Sequence, residues 1–211
     1  MKLTKHEHAC QVLEKSGAAL VIDPGSFTLP LDDLTGVVAI VVTHEHADHW
    51  TAEHFDRIHT KSPDARILGP AGVAAAAIGY EVEVVAPGDT VEVGPFTLRF
   101  YGGKHAVIHE SIPIVDNVGV MVDDLVYYGG DSYTIPDRPV EVLAVPIGAP
   151  WLKIGEVMDY VIAVAPRQSY PVHEAPLSVI GKGMAHGRVE TVTKLGGGEF
   201  TVLEPGDSLD L

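Results

Sequence analysis

Val37-Val38-Ala39-Ile40-Val41-Val42-Thr43-His44-Glu45-His46-Ala47-Asp48-His49 is the stretch that decides the reading of this chain. Its opening, Val37 to Val42, is unbroken apolar and mostly β-branched, as expected of a strand buried on both faces. Its close places three imidazoles and a carboxylate directly after that strand, where a rigid scaffold can present ligands. In extended geometry His44 and His46 point to the same side, so they can share one metal ion. Asp48 and His49, past the bend, can reach a second. Imidazole suits Zn²⁺ or another late first-row metal, and the carboxylate adds a hard oxygen ligand and charge.

Two ions need more ligands than this run supplies, and candidates stand where later strands leave their sheet. His105 follows Tyr101-Gly102-Gly103, Asp131 follows Tyr127-Tyr128-Gly129-Gly130, and His173 follows Ser169-Tyr170-Pro171-Val172. His109, a short step past a blurred strand end, is the alternative to His105. Any one of these histidines alone would be read as a surface or hydrogen-bonded residue; their joint occurrence with the run is what points to metal.

Working outward, strands are expected at 8–14 and 18–23 around the turn Lys15-Ser16-Gly17. A helix opened by Thr51 covers 51–59, a strand 65–68, and a helix 71–78 stopped by Gly79. Strands follow at 81–85, 90–93, 96–101, 117–122, 125–129 and 140–145, a helix at 153–165, a strand at 167–172, helix within 176–194 and a last strand at 199–203. Strands interleaved with helices in both halves imply an α/β fold, a four-layer αββα sandwich, as one domain over 1–211. Pro87-Gly88-Asp89-Thr90-Val91-Glu92-Val93 is echoed by Pro205-Gly206-Asp207-Ser208-Leu209-Asp210-Leu211. Either two similar turns or a duplicated β-rich half would give that echo.

Bulk composition narrows the function classes. The 211 residues are 46% hydrophobic, enough to bury a full core, and the formal charge of −15 argues against unassisted binding to nucleic acid or an anionic membrane. No apolar segment follows Met1 and none elsewhere is long enough for a bilayer span, so a soluble, cytoplasmic protein with a small-molecule substrate is expected. Cys10 is the sole cysteine, which excludes both an internal disulfide and a cysteine-based zinc cage. Any metal must be held by histidines and carboxylates.

These motifs resemble the metallo-β-lactamase superfamily over nearly the whole chain. Ile22-Asp23-Pro24-Gly25 resembles its first motif, Thr43 to His49 its T-H-x-H-x-D-H signature, and His105, Asp131 and His173 its later ligands. His8-Ala9-Cys10, Gly129-Gly130-Asp131-Ser132 and Val145-Pro146-Ile147-Gly148 look most like the small branch containing ascorbate-6-phosphate lactonase. The resemblance implies that His44, His46 and His105 bind a first ion, that Asp48, His49 and His173 bind a second, and that Asp131 bridges them. Asp23 would hold a ligand loop in place; a turn-capping role before Pro24-Gly25 is the other reading. Redox-active diiron members of the superfamily carry Glu at position 46, so the His here favours hydrolysis.

The reaction expected is a metal-dependent hydrolysis by a metal-bridging hydroxide, with Asp48 orienting it and receiving a proton, on a lactone or related carboxylic ester. The alternatives are a small-molecule phosphodiesterase and a non-catalytic metal-binding module. Two divalent ions are implied, Zn²⁺ before Mn²⁺ or Fe²⁺. His8 and His109 are candidates for substrate contact or for ordinary hydrogen bonding. Trp151 and Lys153 could wall the pocket and hold an anionic group, or simply begin a helix. His6, His54, His59 and His186 read as surface histidines, and Cys10 as a small core residue.

Overall fold

The computed structural model describes residues 1–211. Its strands are β1 (Lys2–Lys5), β2 (Gln11–Lys15), β3 (Ala18–Ile22), β4 (Val37–Val41), β5 (Arg66–Gly69), β6 (Val82–Val84), β7 (Thr90–Val93), β8 (Phe96–Lys104), β9 (Asp116–Val122), β10 (Val126–Tyr128), β11 (Val142–Pro146), β12 (Gln168–Val172), β13 (Glu199–Phe200) and β14 (Ser208–Asp210). The helices are α1 (Ala52–Lys61), α2 (Ala71–Ala76), α3 (Ile154–Val164) and α4 (Val179–Leu195). Two sheets form, ordered β14-β1-β2-β3-β4-β5-β6 and β13-β12-β11-β10-β9-β8-β7.

The inner faces of both sheets meet in one apolar layer. Leu3, Leu20, Ile22 and Val41 from the first sheet join Phe96, Leu98, Val120 and Tyr128 from the second. Phe55, Ile58 and Val73 of α1 and α2 pack on the outer face of the first sheet with Ile40 and Ile67. Val157, Tyr160, Val161, Val189 and Val192 of α3 and α4 do the same for the second, against Leu143 and Val145. This is the four-layer αββα arrangement. The spacing of Phe55 and Ile58 gives α1 its buried stripe, and Thr51 caps it by accepting from the His54 amide at 3.2 Å.

Both sheets repeat one pairing pattern. In the first, β14/β1, β1/β2 and β2/β3 are antiparallel, then β3/β4, β4/β5 and β5/β6 parallel. In the second, β7/β8, β8/β9 and β9/β10 are antiparallel, then β10/β11, β11/β12 and β12/β13 parallel. β14 therefore holds in the first sheet the place that β7 holds in the second. The Pro-Gly-Asp echo lies directly before these two strands, and its turns match: Gly88 and Gly206 both have φ +95°, while Asp89 and Asp207 accept from the amides of Ala86 and Glu204 at 2.8 and 2.9 Å. A repeated half accounts for this correspondence; two unrelated turns do not.

Several expectations are corrected. β1 and β14 were not anticipated, because Lys2-Leu3-Thr4-Lys5 carries one apolar residue between charged ends. Lys5 is nonetheless buried, paired with Glu174. The strand expected at 199–203 shortens to Glu199–Phe200, and that at 8–14 begins only at Gln11. No helix is long and apolar enough to cross a membrane.

What positions the site is a shared rim. The segments after β1, β3, β4, β8, β10 and β12 all leave the carboxyl ends of their strands and supply His8, Asp23, the Thr43–His49 run, His105, Asp131 and His173 in turn. Strand carboxyl ends are where such sheets present ligand-binding groups.

Candidate metal centre

The loop after β4 is fixed by a buried carboxylate. Asp23 accepts from the Thr43 amide through Oδ1 at 2.8 Å, and through Oδ2 from the Thr43 hydroxyl at 2.7 Å and His49 Nδ1 at 2.6 Å. Asp23 sits at φ +48°, a left-handed backbone that costs a non-glycine residue energy. Beside it, a Cβ on Gly25 would fall 1.8 Å from the Asp48 carbonyl oxygen, so the two loops meet only because position 25 has no side chain.

Around this loop the imidazoles fall into two groups. His44, His46 and His105 face one another, and so do His8, Asp48, His49 and His173; Asp131 joins His44 and His49 between them. His44 Nε2 lies 3.0 Å from His46 Nδ1, and His49 Nε2 lies 3.2 Å from His173 Nε2. Asp131 reaches both groups: Oδ2 is 3.4 Å from His105 Nε2 and 3.1 Å from His173 Nε2, and Oδ1 is 3.4 Å from His49 Nε2. Asp48 Oδ2 stands 3.8 Å from His49 Nε2 and 3.6 Å from His173 Nε2.

The far side of each ring decides what the near side offers. His49 Nδ1 donates to Asp23, His173 Nδ1 to the Gly148 carbonyl at 2.7 Å, and His105 Nδ1 to the Ala106 carbonyl at 2.5 Å. Thr43 Oγ1, whose own proton goes to Asp23, accepts from His44 Nδ1 at 3.0 Å. With these protons directed outward, the Nε2 lone pairs of four rings converge. The lone pairs of His49 and His173, which meet at 3.2 Å, repel unless a cation lies between them. Nitrogens bound tetrahedrally at about 2.0–2.1 Å would stand about 3.3 Å apart. Buried His105 Nε2 and Asp131 Oδ1 lack any hydrogen-bond partner, as expected of atoms whose partner is a metal ion. The donor set therefore fits metal binding.

Without an ion, two of these rings, His49 and His173, hold a proton more tightly than a free imidazole does. Burial acts to lower His49, but Asp131 and Asp23 outweigh it and raise the imidazole to about 9. His173 is also raised, Asp131 overcoming burial. His44 is pushed down by burial and by its neighbour His49. Burial would raise Asp131 and Asp48, yet the imidazoles around each hold both carboxyls below the usual range.

The remaining sequence candidates divide. His8 joins the second group, its Nε2 3.2 Å from Asp48 Oδ2. Trp151 is buried and its indole donates to Asp131 Oδ2 at 2.8 Å, with its rings against His105 and Tyr133. It is a wall of the centre rather than only the approach to α3. Lys153 is exposed at the N-cap of α3 with no side-chain hydrogen bond. His109 is exposed, hydrogen-bonded to Ser111 at 2.8 Å and outside both groups, so His105 is the one brought to the cluster. His54 is buried rather than on the surface, donating to the Thr28 carbonyl at 3.2 Å, because the α1 stripe faces the sheet. Cys10 is buried, and burial pushes its thiol up, away from reactivity.

Asn117 escaped the sequence reading. Its amide donates to the Gly129 carbonyl at 2.9 Å and its Oδ1 accepts from the Asp131 amide at 3.0 Å, holding the turn that aims Asp131. The available signal was an amide directly before the apolar run of β9, Val118 to Val122. The buried Lys5–Glu174 pair, next to His173, was missed for want of any pattern linking the two ends of the chain.

The model of the family described as Beta-lactamase superfamily domain matches residues 2–173. The chain is 35% identical over 198 residues to Protein Rv0786c of Mycobacterium tuberculosis, covering 92% of this chain and 93% of that protein. It is 25% identical to a UPF0173 metal-dependent hydrolase of Aeropyrum pernix, covering 99% of this chain and 97% of that one. Among solved structures it resembles Igni18, a metallo hydrolase from Ignicoccus hospitalis, with a TM-score of 0.74 at 17% identity over 100% of this chain and 98% of that chain. At that identity the likeness is one of fold.

Proposed function

Because the chain belongs to the β-lactamase superfamily, we propose that it is a metal-dependent hydrolase acting on a lactone or related carboxylic ester with two divalent ions. The observation that carries this reading is the set of outward-anchored rings with inward lone pairs, arranged in two groups that share Asp131. His44, His46 and His105 hold one ion, Asp48, His49 and His173 the other, and Asp131 lies between. Zn²⁺ suits these ligands best, and Mn²⁺ or Fe²⁺ is compatible. Such a pair of ions supplies an activated water and polarises the scissile bond.

The chain's own residues then define the rest. Asp48 is the most exposed of the two carboxylates in the cluster, its side chain 28% exposed against 3% for Asp131. It therefore faces the mouth, where it can orient a water and accept its proton. Trp151 shields Asp131 from solvent on one side. Phe27, edge-on to His8 with ring centroids 5.0 Å apart, and Val107, just beyond His105, remain exposed. Apolar groups at the mouth suit an ester or lactone better than a phosphodiester, for which exposed Lys153 is the one cation among the candidate contacts.

A panel of lactones, carboxylic esters, thioesters and phosphodiesters, assayed with Zn²⁺ and with Mn²⁺, tests the proposal. Metal-dependent turnover confined to the lactones and esters is the expected result. Turnover confined to phosphodiesters would replace the substrate class, and none on any substrate by the metal-replete protein would leave a binding module.

A further inference from the structure

His8 stands apart from the other imidazoles by what lies behind it. The rings of His44, His49, His105 and His173 each have an acceptor on the far side, Thr43 Oγ1, Asp23 Oδ2, the Ala106 carbonyl and the Gly148 carbonyl. His8 has a donor there: the Ala175 amide points at its Nδ1 from 3.4 Å. A backbone N–H can only donate, so Nδ1 must carry the lone pair and Nε2 the proton. That Nε2 faces Asp48 Oδ2 at 3.2 Å. A carboxylate accepts what Nε2–H offers, and the two bonds are consistent with one tautomer. For His8 to bind an ion through Nε2 it would have to set Nδ1–H against the Ala175 N–H, two donors facing each other in a buried place.

Its backbone is committed to the same neighbourhood. His8 and His173 both sit at φ +60°, and the His8 carbonyl accepts from the His173 amide at 2.8 Å. The two rings lie against each other with centroids 3.9 Å apart. One residue thus ties down two members of the second group, His173 through its carbonyl and Asp48 through its ring.

Resting on the two-ion reading above, we infer that His8 is not a metal ligand but the positioning residue of the second ion's site, a permanent Nε2–H donor that holds Asp48 in its ligating and proton-accepting orientation. The side chain acts through Asp48 and need not touch the substrate. Glutamine can reproduce the donor because its amide N–H reaches about as far as imidazole Nε2–H, whereas leucine fills similar space with nothing to donate. Both substitutions meet the same left-handed backbone, so their difference isolates the hydrogen bond.

The test is a competition titration of Zn²⁺ against a chromophoric chelator for wild type, His8→Gln and His8→Leu. It is paired with ¹⁵N NMR of the histidine-labelled, Zn²⁺-loaded wild type. In His8→Leu the second ion should bind about 10- to 100-fold more weakly with the first unchanged, the range for loss of a group that orients a ligand. His8→Gln should stay within about threefold of wild type on the same scale. The NMR spectrum should show His8 as an uncoordinated Nε2–H ring while the four anchored rings show coordinated Nε2. A coordinated Nε2 at His8 would overturn the inference even if a variant fails to fold, as would His8→Gln losing the second ion as fully as His8→Leu. Unchanged affinity in folded His8→Leu would overturn it too. Wild type taking fewer than two ions would instead remove the two-ion reading itself, and this inference with it.

Discussion

The proposed function gives Asp48 two roles that one substitution can separate. As a proposed ligand it would support the second ion, and as the more exposed carboxylate, 28% against 3% for Asp131, it would take a proton. Asp48→Asn keeps a coordinating oxygen while losing the charge and the proton acceptor. It should fold, keep the ion held by His44, His46 and His105, and lose about a hundredfold or more in kcat, the scale of a general base. A variant loaded with both ions and turning over at the wild-type rate would make Asp48 a structural ligand only. Trp151 offers a second substitution of this kind. Trp151→Phe removes the indole N–H that meets Asp131 at 2.8 Å while keeping an aromatic wall. Metal affinity should fall about tenfold, read by chelator competition; an unchanged affinity would show that the indole only packs. His49 adds a pH dependence. Held near 9 in the metal-free protein by Asp131 and Asp23 against the effect of burial, its proton must leave when an ion binds. Metal affinity should therefore climb as pH rises towards about 9 and weaken as pH falls. In the metal-free protein the sign is reversed: the charged His49 contributes stability below its unfolded value and loses it as pH rises through about 9. Calorimetry of Zn²⁺ binding at neutral pH in buffers of different ionisation enthalpy should show proton release as an observed heat that varies with the buffer, and the same observed heat in every buffer would contradict it.

At the scale of elements, the site depends on loops that touch without room to spare. Gly25→Ala would place a methyl group 1.8 Å from the Asp48 carbonyl, against backbone that also carries a ligand. The expected cost is about 3 kcal/mol or more, the upper end for overpacking, together with loss of metal, and a denaturant titration of the metal-free variant measures it. A near-wild-type midpoint would mean that the two loops separate easily. The same elements show what the sequence disclosed. The β4 run and its histidines announce themselves because an apolar, β-branched strand ends in a dense cluster of imidazoles, a local pattern. β1 and β14 do not, since Lys5 is buried only by virtue of Glu174, 169 residues away, and β14 is a strand only because β1 lies beside it. His105 and His109 could not be separated by spacing alone; the distinction came from where β8 ends, at Lys104. His8 was legible as a candidate but not as a donor, because its tautomer is set by the Ala175 amide across the molecule.

For the whole molecule, the two sheets with the same order of antiparallel and parallel pairs bring six strand ends to one rim, where two carboxylates, buried Asp131 and half-buried Asp48, face converging imidazoles. Ions that bind only the native state should stabilise it by mass action and relieve the repulsion between Asp48 and Asp131. Each ion at a hundredfold above its Kd adds about 2.7 kcal/mol. For a domain of this size that corresponds to about 5–10 °C in Tm for each ion. Chelation should lower Tm accordingly, and an unchanged melting curve in verified metal-free protein would separate these residues from metal binding. The claim on which everything else rests is that the rim holds two ions through a shared Asp131. Elemental analysis of the protein purified without chelator and saturated with Zn²⁺ or Mn²⁺ tests it most directly: the account predicts two ions per chain, and a saturating stoichiometry of one or fewer would contradict it.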